Sequence, residues 1–427
     1  MTSLPGNPAV AVIGAGAAGI GASLTLTRLG VPHLVLEASG RVGGRAYTDS
    51  YSLGYPWDQG CHWFHSADIN VLCHMADRLG HRYRSPASPA AAASFLNGRW
   101  LTGSLRADYV WGKLAEIAEA GRCGPDIAAA SLLDPGHPLA EVMRHWLKLM
   151  YSAEPEDIST RDAGNYKDTG LNLAVEDGYG ALIARLARGL PIRLNTPVTK
   201  ITCGARDVTV STPAGDIKTS TVVLAVPARI LQMERIAIVP ALPDELAEAF
   251  QEVPMGWYEK IAIAFDRLVF GERTATYADI IADPEMPLNF ELHPFGRPIA
   301  VTHVAGRQAR DLECGGEAAM IEHALSALVA AFGSDLRRHV VKGTTTHWSS
   351  APYIGGAYSC ARPGKAELRK RFAAPLHERI HLAGEHVHQW FNATAHGAYE
   401  TGINAALAAA RQTGVEGGQA DPLWLPA

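Results

Sequence analysis

The sequence predicts an α/β protein: a Rossmann-like domain assembled from discontinuous segments, joined to an α+β domain that carries a helical insertion. Three observations lead to it. Near the start, an apolar run, a glycine-rich hexamer, a helical stretch and a second apolar run follow one another in the order of a βαβ unit. Much further along, residues 221–226 and 379–383 are short apolar runs that read as buried strands. Between these lies a stretch of strand-like alternation at 260–265 and 299–304, followed by a helical pattern at 317–332. That alternation suits a second, separately packed unit. At 427 residues the chain has room for two or three domains. The expected boundaries are 1–80, 172–235 and 345–427 for the Rossmann-like domain, and 81–171 and 236–344 for the other.

The elements follow in order. Val10-Ala11-Val12-Ile13 is the first strand, residues 17–29 are a helix ended by Gly30, and residues 33–37 are the second strand. From 84 to 93 the chain is rich in Pro, Ser and Ala and reads as a surface connection. Helical spacing at 105–120 and 138–151 marks the helical insertion. A helix at 178–190 precedes strands at 192–195, 198–202 and 208–212, expected to form a small antiparallel meander. The strand at 221–226 is closed by Pro227, and a helix from about 397 to 411 ends the ordered pattern.

Composition excludes several classes. A formal net charge of -5 gives no basic surface for nucleic acid. The six cysteines are scattered without a close pair, so neither a disulfide framework nor a zinc knuckle is indicated, and a cytoplasmic location is expected. Residues 9–26 carry no charge, but four glycines interrupt them and no basic residue precedes them; neither a membrane span nor a signal peptide is expected. Residues 414–421 are a polar, glycine-rich tail rather than an apolar anchor.

The chemistry begins at Gly14-Ala15-Gly16-Ala17-Ala18-Gly19. Gly14 allows a sharp turn, Gly16 lets backbone approach a pyrophosphate, and Gly19 lets helix pack on strand. The helix N-terminus then presents free N–H groups to phosphate. Glu37 closes the next strand about twenty residues on, placed to accept ribose hydroxyls. An acid there disfavours a 2′-phosphate, which leaves an NAD-like dinucleotide or FAD.

The stretch that follows, Glu37-Ala38-Ser39-Gly40-Arg41-Val42-Gly43-Gly44-Arg45, resembles the flavin-dependent amine oxidase family of monoamine and polyamine oxidases. The resemblance implies FAD, with Gly43 and Gly44 running against the cofactor and Arg41 and Arg45 reaching its pyrophosphate. It continues at 175–190 with Val198, where a valine backbone holds the adenine, and at 222–227. It returns at Ala383-Gly384-Glu385 and His396-Gly397-Ala398, the C-terminal flavin segment. There Glu385 is expected on a ribityl or phosphate oxygen, and the helix starting near Gly397 and Ala398 points its positive end at the flavin.

On the substrate side, Lys260 opens the apolar run after Met255-Gly256 and resembles the family lysine that holds a water against flavin N5. A cation there would stabilise developing superoxide. Tyr358 resembles the flavin-facing aromatic. Ala357 stands where monoamine oxidases carry the cysteine that bonds FAD, so noncovalent FAD is implied. Thr394 stands where those enzymes have a second cage tyrosine, leaving Trp390 or Phe391 as the other wall. Gly60-Cys61-His62-Trp63-Phe64-His65 resembles a polyamine oxidase stretch, with Cys61 and Ser66 as departures; it implies substrate contacts from Trp63 and His65. No carboxylate or cysteine cluster accompanies His62 and His65 in sequence, so no metal is expected. The implied reaction is oxidation of a small amine to an imine with O2 reduced to H2O2. A flavin desaturase, an L-amino-acid oxidase and a noncatalytic flavoprotein scaffold remain as alternatives.

Overall fold

The structure is a computed structural model that describes residues 8–85, 92–271, 276–415, 421, 423 and 425. Most of the connection expected at 84–93 and most of the tail at 414–421 lie outside the described residues.

Mixed α/β content is organised around two large sheets. The first has five strands in the spatial order Ile192–Arg193, His33–Leu36, Val10–Ile13, Thr221–Leu224, Ile380–Leu382, and every neighbouring pair is parallel. Its four longer strands are buried at every residue. That is why they read as continuous Val/Ile/Leu runs rather than alternating ones. The helices Ala17–Arg28 and Ala395–Gln412 pack against each other at glycines: a Cβ on Gly21 would lie 2.5 Å from the Tyr399 carbonyl oxygen, and one on Gly402 1.9 Å from that of Ala18.

One expected element joins a different sheet. Ile192–Arg193 pairs with the His33 strand and forms the edge of the parallel sheet, not the first strand of the meander. The antiparallel meander is made by Lys200–Cys203, Val208–Thr212 and Gly215–Thr219. The cause is local: Pro191 lends its carbonyl to Val35, which docks the short strand at once.

The second large sheet has seven strands, among them Val340–Thr345, Tyr258–Phe265, Ile299–Ala305, Leu288–Leu292 and Tyr277–Ile281 in that spatial order. One face, with Ile261, Ile263, Phe290 and Val304, packs on Met320, Ala324 and Leu328 of the helix Glu317–Phe332. Side chains alternate along a strand, so the register decides what the other face carries. Lys260 stands opposite His303, and Glu291 stands opposite both Val301 and Tyr277. These chemically active residues therefore share one face.

The helical insertion is Trp111–Cys123, entered through a π turn at Arg106–Val110, then Ala140–Tyr151 and Thr160–Asn165. Ile117, Met143 and Leu147 form its core. Among the described residues no helix is long and apolar enough to cross a membrane.

Candidate active site

The glycine-rich turn is built by close approach. Gly14 has φ +100°, and a Cβ on Gly19 would lie 1.8 Å from the Gly14 carbonyl oxygen, so helix and turn touch backbone to backbone. The helix that follows has no capping side chain and no acid in its first turn. Its first N–H groups are left for an anion. Gly43 and Gly44 lie alongside, Gly43 donating its N–H to the Ala15 carbonyl at 2.8 Å. The Glu37 carboxylate is buried and accepts from the Ala15 amide (2.8 Å), the Ser39 amide (2.8 Å) and the Ser39 hydroxyl (2.7 Å). Val198 is buried, and neither its N–H nor its carbonyl has a partner among the described residues. Buried backbone groups are nearly always paired, so this valine suits a ligand edge such as adenine. These features together fit a dinucleotide.

The arginines divide. Arg41 folds back on its own loop, donating to the carbonyls of Gly44 (2.8 Å) and Val42 (3.2 Å) with its guanidinium over the Tyr47 ring. Arg45 reaches across to the C-terminal segment, pairing with Glu385 at 2.9 Å and bonding the Ala357 carbonyl. Glu385 also accepts from the Ser359 hydroxyl (2.7 Å) and from the Ser359 and Ala393 amides (3.2 Å each). Burial alone would raise its pKa, but Arg45 and neighbouring donors bring it down to about 2. Glu385 thus acts as a hub that joins segments. Gly384 donates its N–H to the Thr401 hydroxyl at 2.9 Å. Thr394 caps the C-terminal helix by accepting from the Gly397 amide at 3.0 Å, which leaves Gly397 and Ala398 in its first turn.

At the other end stands Lys260. Its Nζ lies 2.9 Å from the Asp58 carbonyl, 2.7 Å from the Gly60 carbonyl and 2.9 Å from His62 Nδ1. Burial lowers its pKa, opposed by Glu291 and Asp58. All three positions around the nitrogen are taken by protein, so a bridging water would have to displace one of them. On the opposite strand face Glu259 accepts from the Thr346 hydroxyl (2.6 Å) and the Trp348 amide (3.0 Å), which fixes the strand against the next segment. A cavity of about 400 Å³ opens beside Lys260, lined also by His62, Tyr277 and Glu291.

Other expected residues are dispersed. Tyr358 is half-buried, and loss of solvation raises its pKa well above the ordinary value; its hydroxyl donates to the Leu149 carbonyl at 2.5 Å and its ring packs on Tyr258. Trp63 packs edge-on against His62 and tilts onto Tyr277. His65 keeps an accessible edge, yet the surrounding protein lowers its pKa, and its Nδ1 lies 2.8 Å from Asn172 Oδ1. Trp390 is 50% exposed, with Lys167 over its ring, while Phe391 turns inward onto His396. The two do not make one wall, and none of Trp63, His65, Trp390 and Phe391 lines the cavity beside Lys260.

Sequence reasoning missed Glu291, His303 and Tyr258, and it found no carboxylate for His62. Glu291 Oε1 lies 2.8 Å from His62 Nε2 across 229 positions of chain. It also missed the buried pair Arg369–Asp162 (2.6 Å), whose arginine bonds Ser359 as well and so joins the helical insertion to the Glu385 hub. Two signals were available in sequence: the spacing of Tyr258 and Lys260, two apart on a strand, and the alternation Leu288-Asn289-Phe290-Glu291-Leu292.

Comparison with known proteins accords with this geometry. The sequence profile for flavin containing amine oxidoreductases matches residues 17–99 and 139–410. The chain is 30% identical to polyamine oxidase 4 of Oryza sativa subsp. japonica, over 93% of this chain and 88% of that protein. It is 28% identical to polyamine oxidase 2 of Arabidopsis thaliana, over 94% and 87%. The fold is similar to cyclohexylamine oxidase from Brevibacterium oxydans IH-35A, with TM-score 0.81 and 20% identity, covering 96% of this chain and 100% of that one.

Proposed function

The chain belongs to the flavin-containing amine oxidoreductase family, and from that premise we propose that it binds FAD noncovalently and oxidises a primary or secondary amine to an imine. Segments 1–80, 172–235 and 345–427 would hold the cofactor, and 81–171 and 236–344 the substrate. The observation that carries the reading is the position of Lys260: a buried amine on the sheet face that looks toward the Gly60 loop, with the glycine turn, Glu37 and the Gly384–Ala398 segment completing a dinucleotide-sized frame. Bound FAD would supply a hydride acceptor whose electrons go on to oxygen, giving hydrogen peroxide.

The chain's own residues do the rest. Ala357 presents no nucleophilic side chain, which supports a noncovalent cofactor. Hydride loss needs a neutral amine, whereas an alkylammonium has an ordinary pKa near 10.4; at pH 7.5 the gap is about 4 kcal/mol. Half-buried aromatic surface from Trp63, Tyr258 and Tyr358 would disfavour the charged form and offset part of that gap. No strong general base is invoked. Lys260 places positive charge where oxygen takes up electrons.

Polyamines or their acylated forms are proposed ahead of small aromatic amines. Thr394 in place of a second aromatic and the outward turn of Trp390 leave the amine end less enclosed. The test is a side-by-side peroxide assay of spermine, spermidine, N-acetylated spermine, benzylamine and several L-amino acids. Turnover led by the polyamines supports the reading. A clear preference for benzylamine rejects the polyamine assignment and leaves amine oxidation standing; turnover only of L-amino acids rejects both.

A further inference from the structure

Beside Lys260 lies a cluster, buried at His303 and half-buried at His62 and Glu291, that the reading above does not use. His62 Nε2 is 2.8 Å from Glu291 Oε1, and His303 Nε2 is 3.8 Å from the same oxygen. His303 Nδ1 is 2.8 Å from the Tyr258 hydroxyl. The two imidazoles stack at 5.3 Å with planes 15° apart. Potential ligand atoms of His62, Glu291 and His303 all lie within 4.8 Å of one another, the outline of a metal site.

A count of protons points elsewhere. Carbonyl oxygens only accept, so the bonds from Lys260 Nζ to Asp58 and Gly60 each use an N–H. An ionised carboxylate also only accepts, so His62 Nε2 carries a hydrogen toward Glu291. That hydrogen leaves Nε2 no lone pair for a metal. One proton then remains in the 2.9 Å contact between Nζ and His62 Nδ1. On Nζ it makes an ammonium beside a neutral imidazole; on Nδ1 it makes an amine beside an imidazolium. Either way one positive charge faces the Glu291 carboxylate.

We propose that the positive charge at this end of the site belongs to the Lys260–His62 pair, with Glu291 as its counter-charge, and that His62 and Glu291 are positioning residues that hold it there. The inference rests on the reading of Lys260 as the cation that serves the oxygen reaction. Its surroundings agree. From the loop, Asp58, Cys61 and His65 face the pair; from the sheet, Tyr258, Glu291 and His303 do. Burial pushes Cys61 up to about 12 and His303 down to about 4, while the two histidines hold Glu291 well below the carboxylate range. Of these neighbours His65 and His303 have ordinary values near neutral pH, and burial lowers both.

The test uses the FAD-loaded protein, reduced with dithionite rather than with an amine, mixed with oxygen and followed by flavin absorbance from pH 6 to 9. Burial and then Lys260 lower the His62 pKa while Glu291 raises it; Lys260→Met removes the second lowering and keeps Glu291, so the charge returns as pH falls. The expected result is a residual reoxidation rate in Lys260→Met that rises at least threefold from pH 9 to 6 and persists when His65→Gln is added. Adding Glu291→Gln, or His62→Gln should that variant not fold, removes the rise. Ring nitrogen-15 spectra of His62 give a readout independent of turnover: a constant Nε2–H pattern in the wild type and titration in Lys260→Met. A flat rate profile in Lys260→Met together with a His62 ring that behaves alike in both proteins overturns the shared charge. If Lys260→Met reoxidises as fast as wild type, it is the oxygen role of Lys260 that fails, and the ring spectra alone decide the pair.

Discussion

Glu37 shows how a single side chain couples cofactor and loop. Its oxygens already tie Ala15 to Ser39, and the same carboxylate is the expected ribose acceptor. Hydrogen bonds to a charged acceptor contribute about 1.5–3 kcal/mol each. Glu37→Ala is expected to weaken FAD binding at least about tenfold, measured by flavin fluorescence on dilution; unchanged retention counts against the ribose contact. His65 tests the substrate side. It is proposed to bond a distal substrate nitrogen, so His65→Ala should raise KM for a polyamine by more than it lowers kcat. As pH falls below its lowered folded pKa, its charge should repel a cationic substrate and raise KM further. Equal effects of the substitution on both constants would place His65 elsewhere. Lys260 stood out in sequence at the head of an apolar run after Met255-Gly256 and through its resemblance to the family lysine. Glu291, His303 and Asp162 were not, since each gains its meaning from a partner far away in sequence.

Single elements were legible where one strand's burial dictated its composition. Val10–Ile13, Thr221–Leu224 and Ile380–Leu382 are buried at every residue and read as strands without help. Ile192–Arg193 has only two partly exposed residues, so its pairing depends on the neighbouring Pro191 carbonyl and not on its own pattern. Tyr277–Ile281 shows no alternation, whereas Leu288–Leu292 alternates strictly, with Leu288, Phe290 and Leu292 in the core and Asn289 and Glu291 on the face that carries chemistry. Between elements, Arg369 is buried and forked onto Asp162 at 3.0 and 2.6 Å, with Ser359 at 2.9 Å. Removing one partner of such a pair leaves an uncompensated charge and costs about 3–5 kcal/mol. Arg369→Met should therefore lower urea stability by several kcal/mol and loosen FAD, because the Ser359–Glu385 contact loses its brace. A loss below about 1 kcal/mol would contradict the bracing role.

The whole molecule should be acid-sensitive for a stated reason. Burial lowers His145 and His396 to about 3, and His303 and His386 to about 4, against an ordinary 6.5. These residues stay neutral when folded but take up protons when unfolded. Stability is thus complete above pH 6.5 and falls as pH drops toward the folded values, by up to about 1.4 kcal/mol per histidine per pH unit. Asp58, Glu259 and Asp279 are raised by burial and act in the opposite sense, nearer the carboxyl range. The thermal midpoint should accordingly decline between pH 6.5 and 5; a flat profile would contradict neutral burial of these rings. At this scale the α/β class and flavin chemistry were legible because ordered motifs span nearly the whole chain. The direction each aromatic faces was not, because partners elsewhere in the chain decide it: Leu149 and Tyr258 for Tyr358, Tyr277 for Trp63, Lys167 for Trp390. The most direct test of the central claim is anaerobic addition of spermine, spermidine, N-acetylated spermine or benzylamine to the purified flavin-loaded protein. Loss of the oxidised flavin absorbance with at least one amine, and its return on admitting oxygen, is the predicted result; an oxidised spectrum that none of them changes would contradict it.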